Sequence, residues 1–119
     1  MMKKSLIDSF NYAVNGIISA LKTERNMKIH YLLAIIVIIL SLFFDFSRTE
    51  LLILIFAISL VIVAELFNTA IEKVVDLITH KYHPLAKLAK DISAGAVLIS
   101  AINSLVVGYL LFFDRLSFY

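Results

Sequence analysis

A stripe of polar residues interrupts an otherwise apolar predicted helix, and its side chains are of the kinds that bind cations and move protons. The stripe consists of Glu65, Asn68, Glu72 and Asp76. At 100° per residue these positions fall within about 80° of one another, on one helix face. Carboxylates so close together repel one another unless a cation or protons neutralise them. The spacing therefore favours a divalent-cation site over a simple packing contact.

Glu65 lies inside an apolar segment that is long enough to enter a membrane. Counted from Leu51 at 1.5 Å per residue, Glu65 lies about 21 Å into a hydrocarbon core of about 30 Å, and Glu72 lies at its far edge. An ionisable group at such a depth costs about 2.5–3.5 kcal/mol and is a functional candidate by default. The alternative is a protonated Glu65 that only hydrogen-bonds a neighbouring helix.

Basic residues follow the stripe, at the turn after this helix and at the start of the next one. The segment contains Lys81, Lys87 and Lys90, with Asp91 beside the last of them. Carboxylate-bound Mg²⁺ holds phosphate oxygens, and lysine ammonium groups take up the remaining charge of a nucleoside triphosphate. The pattern indicates nucleotide binding, although Lys87 is interpreted as an anchor at the cytoplasmic membrane face.

Other classes of site are excluded by the same residues. The chain has no Cys, and His80 and His83 form no HExxH arrangement, so a zinc site is not expected. The three Gly residues are isolated, so neither a P-loop nor a GxGxxG turn can be written. A net charge of +2 is too small to indicate a nucleic-acid partner.

The elements that position these residues belong to a membrane protein. Of 119 residues, 61% are hydrophobic, and the mean hydropathy is +0.96; soluble domains have roughly 45–50% apolar residues. We predict one all-α, membrane-embedded domain, 1–119. Its predicted elements are an amphipathic helix in the membrane interface, about 5–27, and three spans, about 29–46, 51–78 and 86–113. The amphipathic helix could instead pack only against its own protein.

The basic residues predict the orientation of the chain in the membrane, and the small residues predict its assembly. Nine of the 11 Lys and Arg residues lie before the first span or around the connection of the second and third spans, and only Arg48 and Arg115 lie on the opposite side. This asymmetry predicts a multi-pass plasma-membrane protein with a cytoplasmic N-terminus and an external C-terminus. Small residues recur every four positions on the third span and predict close helix packing and oligomerisation: Ala96, Ser100, Ser104 and Gly108.

Two segments of this sequence carry a resemblance to a known family. They are Ala64–Asp76, with its E-x-x-N-x-x-x-E-x-x-x-D pattern, and His83–Asp91, which reads HPLAKLAKD. Together with Thr23–Asn26, they closely resemble the small prokaryotic diacylglycerol kinase / undecaprenol kinase family. The similarity covers almost the whole chain.

The resemblance implies an ATP-dependent lipid kinase that works as a homotrimer, with active sites shared between protomers at the cytoplasmic membrane surface. It implies that Glu65 is the catalytic base and that Glu24 and Glu72 hold the ATP-bound Mg²⁺. Asp76 matches a position with an architectural role. Residues that match nucleotide or phosphate contacts are Tyr12, Asn68, Lys81, Tyr82, His83, Lys90 and Asp91.

The acceptor implied by the resemblance is a membrane lipid alcohol. The segments TERN, NTAIE and HPLAK are similar to those of Gram-positive-type members, which favour undecaprenol, and Ser5 stands where the diacylglycerol kinase branch has a basic residue. Undecaprenol is therefore the first expectation and diacylglycerol the alternative. From the residues alone, a non-enzymatic cation- or proton-conducting oligomer and a purely structural subunit also stay open.

Overall fold

The computed structural model describes residues 5–116, and these residues are helical with short connections and no strand. The four main helices are α1 (Leu6–Thr23), α2 (Arg25–Ser41), α3 (Arg48–Ile78) and α4 (Pro84–Gly108). Helix α4 continues through a π-helical segment, Tyr109–Phe113, into a final helical turn, Asp114–Leu116. The all-α prediction is confirmed for this part of the chain.

Capping side chains fix where α1 and α3 begin. The Ser5 hydroxyl accepts from the Asp8 amide at 3.1 Å, and the Ser47 hydroxyl accepts from the Glu50 amide at 3.2 Å. In each case the acidic side chain accepts in return from the amide of the capping serine, which forms a capping box. Pro84 occupies the first turn of α4, where its missing N–H costs no helical hydrogen bond.

A break of one residue separates α1 from α2. Glu24 has an extended backbone (φ −104°, ψ 119°), and its amide donates to the Ala20 carbonyl at 2.9 Å to close α1. Met27, in the first turn of α2, is completely buried. Burial of this side chain holds α2 against the protein from its first turn, so α2 begins earlier than the predicted first span, about 29–46, and α1 ends earlier than the predicted surface helix.

Helix α2 also ends earlier than the predicted span, at Ser41. The amides of Leu42, Phe43 and Phe44 donate to carbonyls three residues back, which tightens the chain into a turn. The Phe44 and Phe46 rings then stack with centroids 5.6 Å apart, and each meets the Phe112 ring edge-on. This aromatic contact joins the end of α2 to the end of α4.

Burial in the chain is inverted relative to a soluble protein. Helices α3 and α4 share the largest helix–helix contact, and α2 packs against α3. Large apolar side chains cover the outer faces of all four helices. The buried residues are Ala20, Met27, Leu54, Ala57 and Val61, together with the polar residues Ser41, Glu65, Asn68, Thr69, Ser93 and Ser100. Apolar residues outside and polar residues between helices are typical of a membrane protein.

Within residues 5–116, two helices are long and apolar enough to cross a membrane: α3, and α4 with its continuation to Leu116. Helix α2 has 17 residues. At 1.5 Å per residue it is about 25 Å long, which is at the short end of the range for a span. The first predicted span, about 29–46, therefore stays a prediction.

Candidate functional site

The centre of the candidate site is the side chain of Glu65, which is 2% exposed in the middle of α3. Its Oε1 lies 3.2 Å from Nε2 of His30 on α2. The Thr69 hydroxyl donates to the backbone carbonyl of Glu65 at 2.9 Å, so this hydrogen bond lies within α3 and does not involve the Glu65 side chain. The pair of His30 and Glu65 is therefore a polar contact between two apolar helices.

His30 is absent from the predicted site residues. The structure places it against Glu65, with its side chain 21% exposed. A titratable residue beside an apolar run needs a partner in the bundle. That requirement is the signal by which the sequence could have indicated His30.

One helical turn beyond Glu65, a chain of hydrogen bonds joins α3 to α4. The Ser93 hydroxyl donates to Asn68 Oδ1 at 2.6 Å and also reaches the Lys90 carbonyl at 3.0 Å. Because Asn68 Oδ1 faces Ser93, its Nδ2 donates to Glu72 Oε1 at 3.3 Å. Ser93, which is also absent from the predicted site residues, thus sets the orientation of Asn68 and fixes one oxygen of Glu72.

Two ion pairs involve the predicted phosphate-binding residues of α4. Lys90 Nζ lies 2.7 Å from Asp76 Oδ1 and links α4 to α3. Lys87 Nζ lies 2.6 Å from Asp91 Oδ2, on an exposed face of α4. The charge of Lys90 also acts on Glu72. Asp76 thus holds two helices together and keeps a cation beside the polar stripe.

Glu24 reaches the stripe from the break between α1 and α2. Its Oε1 lies 3.8 Å from Nζ of Lys73, the residue after Glu72. The charges of Glu24 and Glu72 both act on Glu65, so the three carboxylates share one region. The extended backbone at Glu24 is what turns this side chain towards α3.

An apolar groove between α2, α3 and α4 begins at His30. Its volume is about 440 Å³, and its walls include Val37 on α2 and Ile58 on α3. Ser104 and Gly108 of the small-residue stripe line this groove, and a Cβ added at Gly108 would meet nothing within 4 Å. Within the chain, these two positions therefore widen a groove and do not bring helix backbones together.

The model of the prokaryotic diacylglycerol kinase family matches residues 11–112. The chain belongs to this family. Membership confirms the resemblance and makes this family member a lipid kinase, a phosphotransferase with an alcohol acceptor. It also agrees with the membrane character of α3 and α4.

Three relatives show how far the similarity extends. The undecaprenol kinase of Bacillus subtilis (strain 168) is 44% identical over 108 residues, which cover 91% of this chain and 88% of that protein. The diacylglycerol kinase of Synechocystis sp. is 42% identical over 105 residues, covering 87% of this chain and 60% of that protein. The diacylglycerol kinase of Haemophilus influenzae is 38% identical over 109 residues, covering 91% and 92%.

Metal binding by this family member would have to use few carboxylates of its own. Within residues 5–116, no three His, Cys, Asp or Glu side chains gather closely enough to hold a metal ion. Mg²⁺ commonly takes one or two carboxylates and completes its shell with water and substrate phosphates. Glu24, in the break between α1 and α2, and Glu72, on α3, approach the same region and fit that donor set.

The remaining predicted nucleotide contacts lie on α1 and on the turn between α3 and α4. Tyr12 is an exposed residue of α1, and Tyr82 is exposed in the turn. The Lys81 amide donates to the Thr79 hydroxyl at 3.1 Å, and His83 Nδ1 accepts from the Leu85 amide at 3.1 Å to cap α4. The contacts of Lys81 and His83 therefore shape the turn.

Proposed function

We propose that this kinase transfers the γ-phosphoryl group of ATP to undecaprenol and so forms undecaprenyl phosphate. The observation that carries the proposal is the buried carboxylate of Glu65 beside the polar end of an apolar groove. An apolar chain can occupy the groove while its hydroxyl lies near Glu65. The name of the Bacillus relative favours undecaprenol as the acceptor.

In the proposed reaction, Glu65 accepts the proton of the lipid hydroxyl as the lipid oxygen attacks the γ-phosphorus, and the bond from the γ-phosphorus to the bridging oxygen breaks so that ADP leaves. Positioned bases contribute typically 10²–10⁴-fold, provided that they reach the proton that they remove. The burial of Glu65 excludes bulk water, which keeps the carboxylate available to the lipid hydroxyl. No covalent enzyme intermediate is needed, because phosphoryl transfer depends chiefly on positioning and charge neutralisation.

Glu24 and Glu72 are the residues that would hold Mg²⁺, and the bound ion would neutralise charge on the phosphoryl groups. Asn68 supports Glu72 through its 3.3 Å hydrogen bond. The Lys90 ammonium group can bind a phosphate oxygen once it separates from Asp76. The Asp76 side chain is only half buried. The other proposed nucleotide contacts are Tyr12, Lys81, Tyr82, His83 and Asp91.

The proposal includes a homotrimer with three spans per protomer and a cytoplasmic site. Asn103 is exposed in the last two turns of α4 and lines a shallow groove with Phe56 and Leu60. An amide at this position is stabilised by a hydrogen bond to a partner helix, since lipid offers it no hydrogen-bond partner. The lysine and arginine asymmetry supports the cytoplasmic side for Glu24 and Glu72.

The acceptor is tested by placing undecaprenol and diacylglycerol in one bilayer with the purified kinase, Mg²⁺ and ATP labelled at the γ-phosphate. We expect labelled undecaprenyl phosphate as the main product. The Glu65→Gln variant is the matched control and should label both lipids at least about 100-fold more slowly. Label mainly in phosphatidic acid would transfer the proposal to diacylglycerol, the second candidate, which the names of the Synechocystis and Haemophilus relatives favour. If neither lipid were labelled, the kinase proposal would fail.

The metal assignment is tested with Glu72→Ala. Loss of one of two carboxylate donors should raise the Mg²⁺ concentration needed for half-maximal activity. Glu50→Ala provides a matched control, because Glu50 lies at the other end of α3 and pairs with Arg115. An unchanged Mg²⁺ dependence in Glu72→Ala would remove Glu72 from the metal site.

A further inference from the structure

The Glu65 carboxylate is held at a contact between helices rather than by its own helix. His30 Nε2 lies 3.2 Å from Glu65 Oε1, and this contact spans α2 and α3. The neighbouring polar groups on α3 are engaged elsewhere: Thr69 donates to a backbone carbonyl, and Asn68 donates to Glu72. The ring of His30 is therefore the group that can hold the Glu65 side chain in one rotamer.

We propose that His30 is a positioning residue, whose Nε2–H donates to one oxygen of Glu65 and leaves the other directed to the lipid hydroxyl. This inference rests on the proposed function, in which Glu65 is the base. A base oriented by a third group is a recurring arrangement in enzymes, because a free carboxylate samples rotamers that cannot reach the substrate proton. His30 also lines the apolar groove, so it fixes Glu65 at the groove's polar end.

The position of His30 in the fold suits this task. It lies in the second turn of α2, a short distance after the break at Glu24 and after the buried Met27. Because the buried Met27 side chain anchors the first turn of α2, the His30 imidazole on the second turn is held against α3. The His30 side chain has two rotatable bonds and stands on an anchored helix, so it is a more fixed hydrogen-bond donor than a flexible lysine would be.

The proposal predicts a difference between two substitutions at position 30. His30→Leu removes the donor but keeps an apolar side chain in the groove wall, and we expect kcat to fall about 100-fold, the size associated with a misplacement of about 1 Å. His30→Gln keeps an N–H at about the same reach, and we expect it to restore most of kcat. The KM for Mg-ATP should stay within a factor of about two in both variants, since the residues proposed to bind the nucleotide are unchanged.

The control and the folding check use the same preparation. His80→Leu is the matched control, because His80 is exposed in the turn after α3 and lies outside the proposed machinery; its kcat should equal that of the unmodified protein. Mg-ATP binding and the size-exclusion profile in detergent verify that each variant is folded. If His30→Leu fails to fold, the comparison of His30→Gln with His30→Lys still tests the proposal.

Three outcomes would overturn the positioning role. The first is full kcat in His30→Leu, and the second is a rise in KM for both substrates in place of a fall in kcat. The third is recovery by His30→Lys without recovery by His30→Gln, which would make charge neutralisation the function of His30. Failure of the proposed function is distinguishable, because the unmodified protein would then label no lipid.

Discussion

Ser93 supports the proposed metal ligand Glu72 through hydrogen bonds whose loss can be evaluated from the structure. Its hydroxyl donates to Asn68 Oδ1 at 2.6 Å, and Asn68 Nδ2 donates to Glu72 Oε1 at 3.3 Å. Asn68 is 8% exposed and Ser93 is 6% exposed, so water cannot readily replace the serine hydroxyl. In Ser93→Ala we therefore expect the Asn68 amide to lose its fixed orientation and Glu72 to lose a fixed partner.

The size of the effect follows from two measured ranges. A buried polar group that loses its partner costs about 1–3 kcal/mol, and hydrogen bonds between membrane helices reach about 1.7 kcal/mol at most. The overlap of these ranges predicts that the free energy of unfolding of Ser93→Ala falls by about 1–1.7 kcal/mol. If all of this acted on Glu72, the Mg²⁺ concentration for half-maximal activity would rise by about 5- to 18-fold, since a factor of ten corresponds to 1.36 kcal/mol.

The assay pairs denaturant unfolding in detergent micelles with a Mg²⁺ titration of lipid phosphorylation. Ser100→Ala is the matched control: Ser100 is 3% exposed on the same helix, but its hydroxyl donates to the Val97 carbonyl of that helix at 2.8 Å. We expect its Mg²⁺ dependence to be unchanged, because no side chain loses a donor. The reasoning is refuted if Ser93→Ala keeps the unmodified Mg²⁺ dependence, or if Ser100→Ala shifts it equally.

Three further variants test other parts of the site. Glu65→Gln should lower kcat by about 10²–10⁴-fold and keep Mg-ATP binding, because only the proton acceptor is lost. Single-turnover assays measure the rate and a binding titration measures the affinity for Mg-ATP; near-normal turnover would contradict the base assignment. Gly108→Leu should fill the groove and lower phosphorylation of undecaprenol about tenfold, because it displaces roughly two methylenes of the lipid at about 0.8 kcal/mol each, while a short-chain alcohol keeps its rate. An equal loss of rate for both alcohols, or the same loss in the control variant Gly95→Leu, would count against the groove as the lipid site. Asp76→Asn should lower the free energy of unfolding only slightly, because the pair with Lys90 is half exposed and water screens it. Detergent unfolding measures this, and a large loss of stability would show that the pair is effectively buried.

The sequence was sufficient to predict the features that repeat within one helix. The stripe of Glu65, Asn68 and Glu72 follows from helical periodicity, and the structure has all three in α3 with Glu65 and Asn68 buried. The all-α fold and the apolar character of α3 and α4 follow from composition and run length. These properties are local, so a single segment contains the information that determines them.

Contacts between helices were not predictable in the same way. The pair of His30 and Glu65 depends on how α2 lies against α3, which in turn depends on the break at Glu24. No Gly or Pro marks that break, and burial of Met27 just after it depends on the packing of the whole fold. The contact of Ser93 with Asn68 joins positions 25 residues apart and likewise requires the packing of α4 on α3.

The length of α3 explains how one helix can serve two substrates of opposite solubility. Its 31 residues extend about 46 Å at 1.5 Å per residue, whereas a hydrocarbon core is about 30 Å thick. One end of α3 must therefore leave the hydrocarbon, and the polar stripe occupies the half of the helix towards Ile78. Glu65 and Glu72 are seven residues apart, about 10 Å along the axis. The carboxylate proposed for the lipid hydroxyl and the carboxylate proposed for the nucleotide's metal thus lie on one face, at the depths where each substrate is soluble.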